Sequence, residues 1–395
     1  MMHSPSIPKT KSRPTWQRTL GTIQGAQKGP TLIFVGGIHG NEPSGVRALV
    51  SVLQELNEYI PYFCGNLIAL AGNLKALQEN VRYLDVDLNR QFTKEIIDRL
   101  KNKEASLFQE DTEQLDLLHE IETILVSEEG PFYFFDLHTT SSETLPFLTV
   151  NDSLLNRKFT QQYPLPIVLG IEEYLEGPLL SYINKLGYVA FGFEGGQHES
   201  PEAFKNHKKF IWQSILLAGC LPQDKVSPEN YFSESLTHTF YEILYRQFVS
   251  NEDAFTMMPG FQNFQKIKKG QVLASMNKKT LEAPMDGRIF MPLYQGKGND
   301  GYFIVRKIPK FFLRLSKWLR NVKLDHWLVI LPGIQWASPD KTALRVNRKI
   351  ARFFTKDFFH LLGYRSRTVS KKHYLMKNRE AASRNEAYRK EPWFR

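Results

Sequence analysis

The chain runs to 395 residues, 42% hydrophobic and 23% charged, with Cys64 and Cys220 its two cysteines. Length and apolar content suffice for two or three domains with a full core, whereas two separated cysteines exclude a disulfide framework or a cysteine-rich zinc module. The net charge of +10 is concentrated in the tail: positions 306–395 carry 23 Lys and Arg against 6 Asp and Glu, which leaves the first 305 residues at −7.

The opening stretch "MMHSPSIPKTKSRPTW" is basic but holds no apolar core segment, so no signal peptide is expected and a cytoplasmic protein fits. No window approaches the roughly 18 consecutive apolar residues that would span a bilayer. From Thr31, "TLIFVGGIHG" reads as a buried strand. The helix expected after it, near "GVRALVSVLQELNEYI", sets Val46, Leu49, Val50, Leu53 and Leu56 at helical spacing. "GNLIALAGN" is the next strand, bounded by Gly65 and Gly72. An amphipathic helix is expected from about Asp111 to Val126, followed by the strand "GPFYFFDLHTT" and, later, by "YVAFGFEGGQHES". Strands alternating with helices imply an α/β sheet whose ligands gather beyond the carboxyl ends of the strands. His39, His138 and Glu194 all fall there.

Character changes near residue 236. Short alternating runs between Gly, Asn, Asp and Pro turns fill the stretch up to position 308, which reads as a small all-β unit. From Pro309 the chain turns basic and aromatic. Three units are therefore expected: an α/β domain over 1–235, a β domain over 236–308 and a partly helical extension over 309–395.

The turn "GGIHGNEPSG" delivers His39 and Glu42 three positions apart at a strand's end. One imidazole and one carboxylate are two ligands of a zinc-like site, which takes three from protein and leaves one position to water. His138 in "FFDLHTT" is the candidate third. Asp136, two positions before it on the same strand face, is placed to orient a ligand. Glu194, before Gly195 and Gly196, is the candidate general base. Arg82, Asn89 and Arg90 crowd two guanidinium groups and an amide into "VRYLDVDLNRQF", suited to gripping a carboxylate or stabilising an oxyanion.

Together "GGIHGNEPSG", "RYLDVDLNR", "FDLHTTSS" and "FEGGQH" resemble, in order, the motifs of the succinylglutamate desuccinylase and aspartoacylase family within the zinc carboxypeptidase-like superfamily. The resemblance covers about Thr31 to His207, and more loosely the β-rich segment to Arg306. It implies a carboxypeptidase-like mixed sheet flanked by helices, with the smaller β domain partly covering the active site. It implies one zinc per chain on His39, Glu42 and His138, with Glu194 as catalytic base and Arg82 polarising the scissile carbonyl. Asn89 and Arg90 would hold the substrate's carboxylate, and Tyr302 in "GNDGYFIV" corresponds to a substrate-contacting tyrosine of the β domain. The expected substrate is an N-acyl amino acid or related small carboxylate. One departure stands out: an arginine that the aspartoacylases carry about ten residues before the catalytic glutamate is replaced here by "LLSYINKLGY", with Asn184 and Lys185.

Plainer readings compete. An isolated His-x-x-Glu is more often a turn histidine, and lone arginines are more often surface ion-pair partners; four ordered motifs outweigh both. His119 and Glu120 lack a second histidine and read as a solvated helix face, and His198, His207 and His238 read as structural. "KKGQVLA" with "SMNKKTLEAP" has the look of a lipoyl-type carrier, but a lid is the expected role. Other activities compatible with the motifs are a carboxypeptidase-type peptidase and a nonenzymatic binding protein using the basic tail. The tail itself could meet RNA or an anionic membrane. No nucleic-acid motif accompanies it, so no nucleic-acid partner is expected. Its apolar content calls instead for packing on the body or on a neighbouring subunit of a homo-oligomer.

Overall fold

The computed structural model describes residues 15–102, 107–233, 238–250, 252–347, 350, 356–370 and 373–394; the opening segment read above for a signal peptide lies, up to position 14, outside them. The uninterrupted apolar runs form buried parallel strands, as expected for segments covered on both faces. The first eight strands in chain order are β1 (Thr19–Gln24), β2 (Gln27–Gly36), β3 (Cys64–Ala71), β4 (Phe132–Thr140), β5 (Phe147–Val150), β6 (Ile167–Leu169), β7 (Val189–Gln197) and β8 (Phe240–Phe248). They lie in the order β1-β3-β2-β4-β7-β5-β6-β8. The centre β3-β2-β4-β7 is parallel, and β1 and β5 run antiparallel to their inner neighbours.

Side-chain alternation divides the core into two layers. Leu32 and Phe34 of β2, Tyr133 and Phe135 of β4, and Phe191 and Phe193 of β7 face the helices Ser44–Leu56 and Pro201–Leu217. Phe193 stacks on Phe210 with ring centroids 4.1 Å apart. On the other face, Ile33, Val35 and Phe134 meet Leu117, Leu118, Ile121 and Ile124 of the helix Gln109–Ser127. Asp136 and His138 of β4 continue the Phe134 side by the two-residue repeat of a strand.

The sheet does not stop at residue 236. β6 pairs in parallel with β8, which continues through the antiparallel strands Asp300–Lys307, Gly287–Phe290 and Lys266–Ile267 to make eleven strands in one sheet among the described residues. A separate three-stranded sheet, Phe255–Met257, Val272–Met276 and Lys279–Glu282, folds over this edge and closes a small core of Met257, Leu273, Ile289, Tyr302 and Ile304.

The basic extension is more ordered than a partly helical tail. Helices Lys310–Asn321, Asp325–Leu328 and Lys356–Leu361 accompany a four-stranded antiparallel sheet in the order Ile334–Trp336, Ala343–Asn347, His373–Asn378, Tyr364–Ser370. Leu319, Leu328, Leu344, Val346 and Phe359 form its core. The extension returns to the body at Tyr388, whose hydroxyl donates to the carbonyl of Phe132 and accepts the amide of Val189, bridging β4 and β7. Trp393 packs beside it and donates its indole N–H to the Tyr133 hydroxyl at 2.9 Å.

Candidate active site

The site begins where β2 ends. Gly37 takes φ +68°, a conformation only glycine adopts freely, and a Cβ on Gly40 would lie 2.0 Å from the backbone of Ala76. These two glycines let the turn close tightly enough to aim His39 and Glu42 inward, with the Glu42 amide bonded to the His39 carbonyl. β4 supplies His138, and β7 supplies Glu194, whose Cα is the direct register partner of His138.

All three candidate ligands are buried, and one donor atom from each falls within 4.8 Å of the others. Glu42 sits between the imidazoles: His39 Nδ1 is 2.9 Å from Oε1 and His138 Nδ1 is 3.1 Å from Oε2. The amide of Thr139 also donates to Oε2, at 3.0 Å. Each imidazole turns its other nitrogen to a carboxylate. His39 Nε2 is 3.2 Å from Asp87 Oδ1, and His138 Nε2 is 2.8 Å from Asp136 Oδ2, close but poorly aligned for a hydrogen bond. A carboxylate that accepts a hydrogen bond from Nε2–H leaves the Nδ1 electron pair free and fixes the ring's direction. Two nitrogens and a carboxylate thus converge on one point, and this donor set fits a zinc-type ion.

Burial pushes the Glu42 carboxyl up, but the two imidazoles outweigh it and hold Glu42 well below the usual carboxylate range. Glu194 goes the other way. Burial, reinforced by Glu42 and Asp136 and opposed by His138 and Arg82, lifts it to about 8. Its Oε2 is buried without a hydrogen-bond partner among the described residues. A carboxyl so placed holds a proton more readily than an exposed one does.

Arg82 donates to Asp87 Oδ2 at 3.1 Å, and its Nη1 lies 3.5 Å from Glu42 Oε1. Asn89 accepts the Leu179 amide at 2.9 Å, and its Nδ2 is 3.5 Å from His138 Nε2. Arg90 donates to Asp300 Oδ2 at 3.2 Å, while Arg246 approaches Oδ1 of the same carboxylate. The structure therefore brings His39, Glu42, Arg82, Asn89, Arg90, His138 and Glu194 to the wall of one cavity of about 120 Å³.

Tyr302 is the exception. Alternation along its strand turns the neighbouring Phe303 to this cavity and sends Tyr302 into the core with Met257 and Leu273, fully buried. The expectation that Tyr302 touches substrate is corrected accordingly. Asn184 is bound to the carbonyls of Leu180 and Ala190 and to Asn156, a structural role, and it does not line the cavity.

Two contributors escaped the sequence. Asp87 lies inside the quoted "LDVDLNR", two positions before Asn89, but nothing in the spacing says that its carboxylate meets His39. Glu172, on a wall with Thr149, Asn151, Ile171, Leu175 and Leu180, accepts from Arg379 of the extension at 2.9 Å. His207 is buried beneath the site: its Nε2 lies 3.1 Å from the His138 carbonyl, its ring backs onto Gly195, and burial lowers its pKa to about 4. His198 contacts two residues of the cavity wall, 2.7 Å from the Thr139 hydroxyl and 3.1 Å from Gln295 Oε1.

Residues 28–205 match the succinylglutamate desuccinylase/aspartoacylase catalytic domain. The chain is 40% identical over 62 residues to a succinylglutamate desuccinylase of Photorhabdus laumondii, covering 16% of this chain and 19% of that protein. It is 33% identical over 165 residues to a probable aspartoacylase of Acaryochloris marina, covering 40% and 53%. The matched stretches thus span about half or less of these relatives' length. A solved succinylglutamate desuccinylase from Vibrio parahaemolyticus shares the fold with a TM-score of 0.54 at 17% identity, over 72% of this chain and 84% of that one. In its motifs as well as in this match, the segment 28–205 is similar to the succinylglutamate desuccinylase/aspartoacylase family.

Proposed function

We propose that the protein is a zinc-dependent amidohydrolase that removes an acyl group from the nitrogen of an amino acid or related small carboxylate. The observation that carries this reading is the convergence of His39, Glu42 and His138 on one point, across from the buried Glu194 on the neighbouring strand. The ion would supply Lewis acidity toward the scissile carbonyl and toward water. Asp87 holds the His39 imidazole in the ligating tautomer, and the Asp136 carboxylate lies 2.8 Å from His138 Nε2. Glu194 takes a proton from the attacking water and returns it to the departing nitrogen, a role that suits a carboxyl raised by burial. Arg82, anchored by Asp87, offers a guanidinium to the oxygen that gains negative charge. Arg90 and Asn89 receive the substrate's carboxylate. The names of the relatives, a desuccinylase and a probable aspartoacylase, support an amide bond beside a small acid.

The test is metal content together with hydrolysis of N-acetyl, N-succinyl and longer N-acyl amino acids, with short peptides as competitors. Close to one zinc per chain is expected, and His39→Ala should lose most of it with the fold intact by circular dichroism. Full metal retention in that variant would sink the ligand assignment.

Arg90→Ala is expected to raise KM for the free acid by about ten- to hundredfold, the worth of a charged hydrogen bond. The methyl ester or amide of the same compound should change far less. Equal changes for charged and neutral substrates would show that Arg90 serves only its pairing with Asp300.

A further inference from the structure

The extension keeps one face of its first helix unpartnered. Of the helix Lys310–Asn321, Ser316, Leu319 and Arg320 point inward, where Ser316 donates to the Leu361 carbonyl at 2.8 Å. A solvated helix presents polar residues on the opposite side. Here that side carries Phe311 and Trp318, 66% and 59% exposed, with Val322, 46% exposed, just past the helix end. Positions 311, 318 and 322 stand seven and eleven residues apart, which is one stripe of a helix. The next segment adds Trp327 and Ile330, 67% and 73% exposed. This is a band of large apolar side chains on a surface that packing does not require.

Charge identifies what would cover it. Lys310, Arg314, Lys317 and Lys323 are exposed around the band. Between positions 308 and 331 the sole acidic residue is Asp325, which is buried and accepts from the Tyr364 hydroxyl at 2.6 Å. The band is therefore cationic throughout. A second copy applied face to face would set like charges against each other, which opposes a symmetric dimer there. Single-stranded RNA would use the aromatic rings, but Val322 and Ile330 offer no face on which a base stacks. Aromatic and aliphatic side chains interleaved with lysines match the interface of an anionic bilayer, where rings sink to the headgroup level and cations meet lipid phosphates. No helix among the described residues is long and apolar enough to cross a membrane.

We propose that the face formed by Phe311, Trp318, Val322, Trp327 and Ile330, with its surrounding lysines, docks the protein peripherally onto anionic lipid surfaces. The band and the cavity described above share no residue, so this does not rest on the hydrolase reading.

The test is sedimentation of the full chain with vesicles of phosphatidylcholine alone and with phosphatidylglycerol added. Binding is expected only to the anionic vesicles, with a blue shift of tryptophan emission and release by salt. Trp318→Ser combined with Trp327→Ser should abolish the blue shift and lower partitioning by at least about tenfold. Lys310→Glu with Lys317→Glu should lower it comparably, since each cation near an anionic surface contributes. All four positions are exposed, so folding by circular dichroism should be unchanged. Equal binding to neutral and anionic vesicles, or none to either, would overturn the proposal. So would variants that bind vesicles as well as the parent does. Loss of a dimer or of poly(U) binding in the tryptophan variants, without any vesicle binding by the parent, would reassign the face to a second copy or to RNA and equally overturn it.

Discussion

Glu194→Gln is expected to lower turnover about 10²–10⁴-fold while zinc content stays at that of the parent, because the amide keeps the shape but cannot accept a proton. The carboxyl lies in register with His138, is buried, and is lifted to about 8 by that burial and by Glu42 and Asp136. His207 is no ready substitute: its Nε2 lies 3.1 Å from the His138 carbonyl, its Nδ1 faces the Ala203 carbonyl and the Ser44 hydroxyl, and burial lowers its pKa to about 4. The measurement is single-turnover hydrolysis on zinc-loaded protein, with metal quantified in the same samples. A rate within about threefold of the parent would remove Glu194 from the base role.

Arg379→Ala is expected to cost about 3–5 kcal/mol of stability, the usual result of stranding a buried ionic partner. The Arg379 side chain is 8% exposed and meets Glu172 at 2.9 Å, Asp152 at 3.3 Å and Glu173. Arg320 joins the same group through Asp152 at 2.8 Å and Glu380 at 2.9 Å. Burial pushes the Glu172 carboxyl up even with Arg379 beside it. Without the guanidinium, Glu172 and Glu173 would be left near each other with only Arg365 and His360 among the named cationic groups to offset them. Because Glu172 also lines the cavity, the variant should raise KM as well as lower the urea midpoint. Arg379→Lys should recover part of the stability, since it restores the charge without the fork that spans three carboxylates. A loss below about 1 kcal/mol, the level of an exposed pair, would mean that the cluster is not the clamp between extension and body.

The glycine turn and the grouping of His39, Glu42 and His138 were legible because their chemistry is written in short, local patterns. His39 and Glu42 share one turn, and Asp136 and His138 share one strand face. What lay beyond reach was pairing across the chain. Asp87 meets His39 only because the turn and the "LDVDLNR" segment fold together. β6 pairs with β8 although some seventy positions separate Ile167 and Phe240, and nothing local announces it. Tyr302 and Phe303 differ by one place in a strand, so a register uncertainty of one residue decided which ring faced the cavity. In the extension, the helix Lys310–Asn321 was visible in its apolar content. The four short strands after it have too little alternation to separate from the basic composition around them.

The joining of β6 to β8 has a mechanical consequence. The loop over the cavity, 292–299, is fastened to the strand sheet that also bears His138 and Glu194, with no linker between cover and floor. The loop is clipped at three further points: Ser141 hydrogen-bonds with the Pro292 carbonyl and the Tyr294 amide, Asn41 donates to Gln295, and Lys297 donates to the Tyr83 carbonyl. A clamshell swing would have to tear a backbone ladder, so entry is left to the fluctuations of the loop itself, on the nanosecond-to-microsecond scale rather than that of domain closure. Such an opening behaves as a sieve: it sorts arriving molecules by girth before Arg90 or Glu172 can sort them by charge.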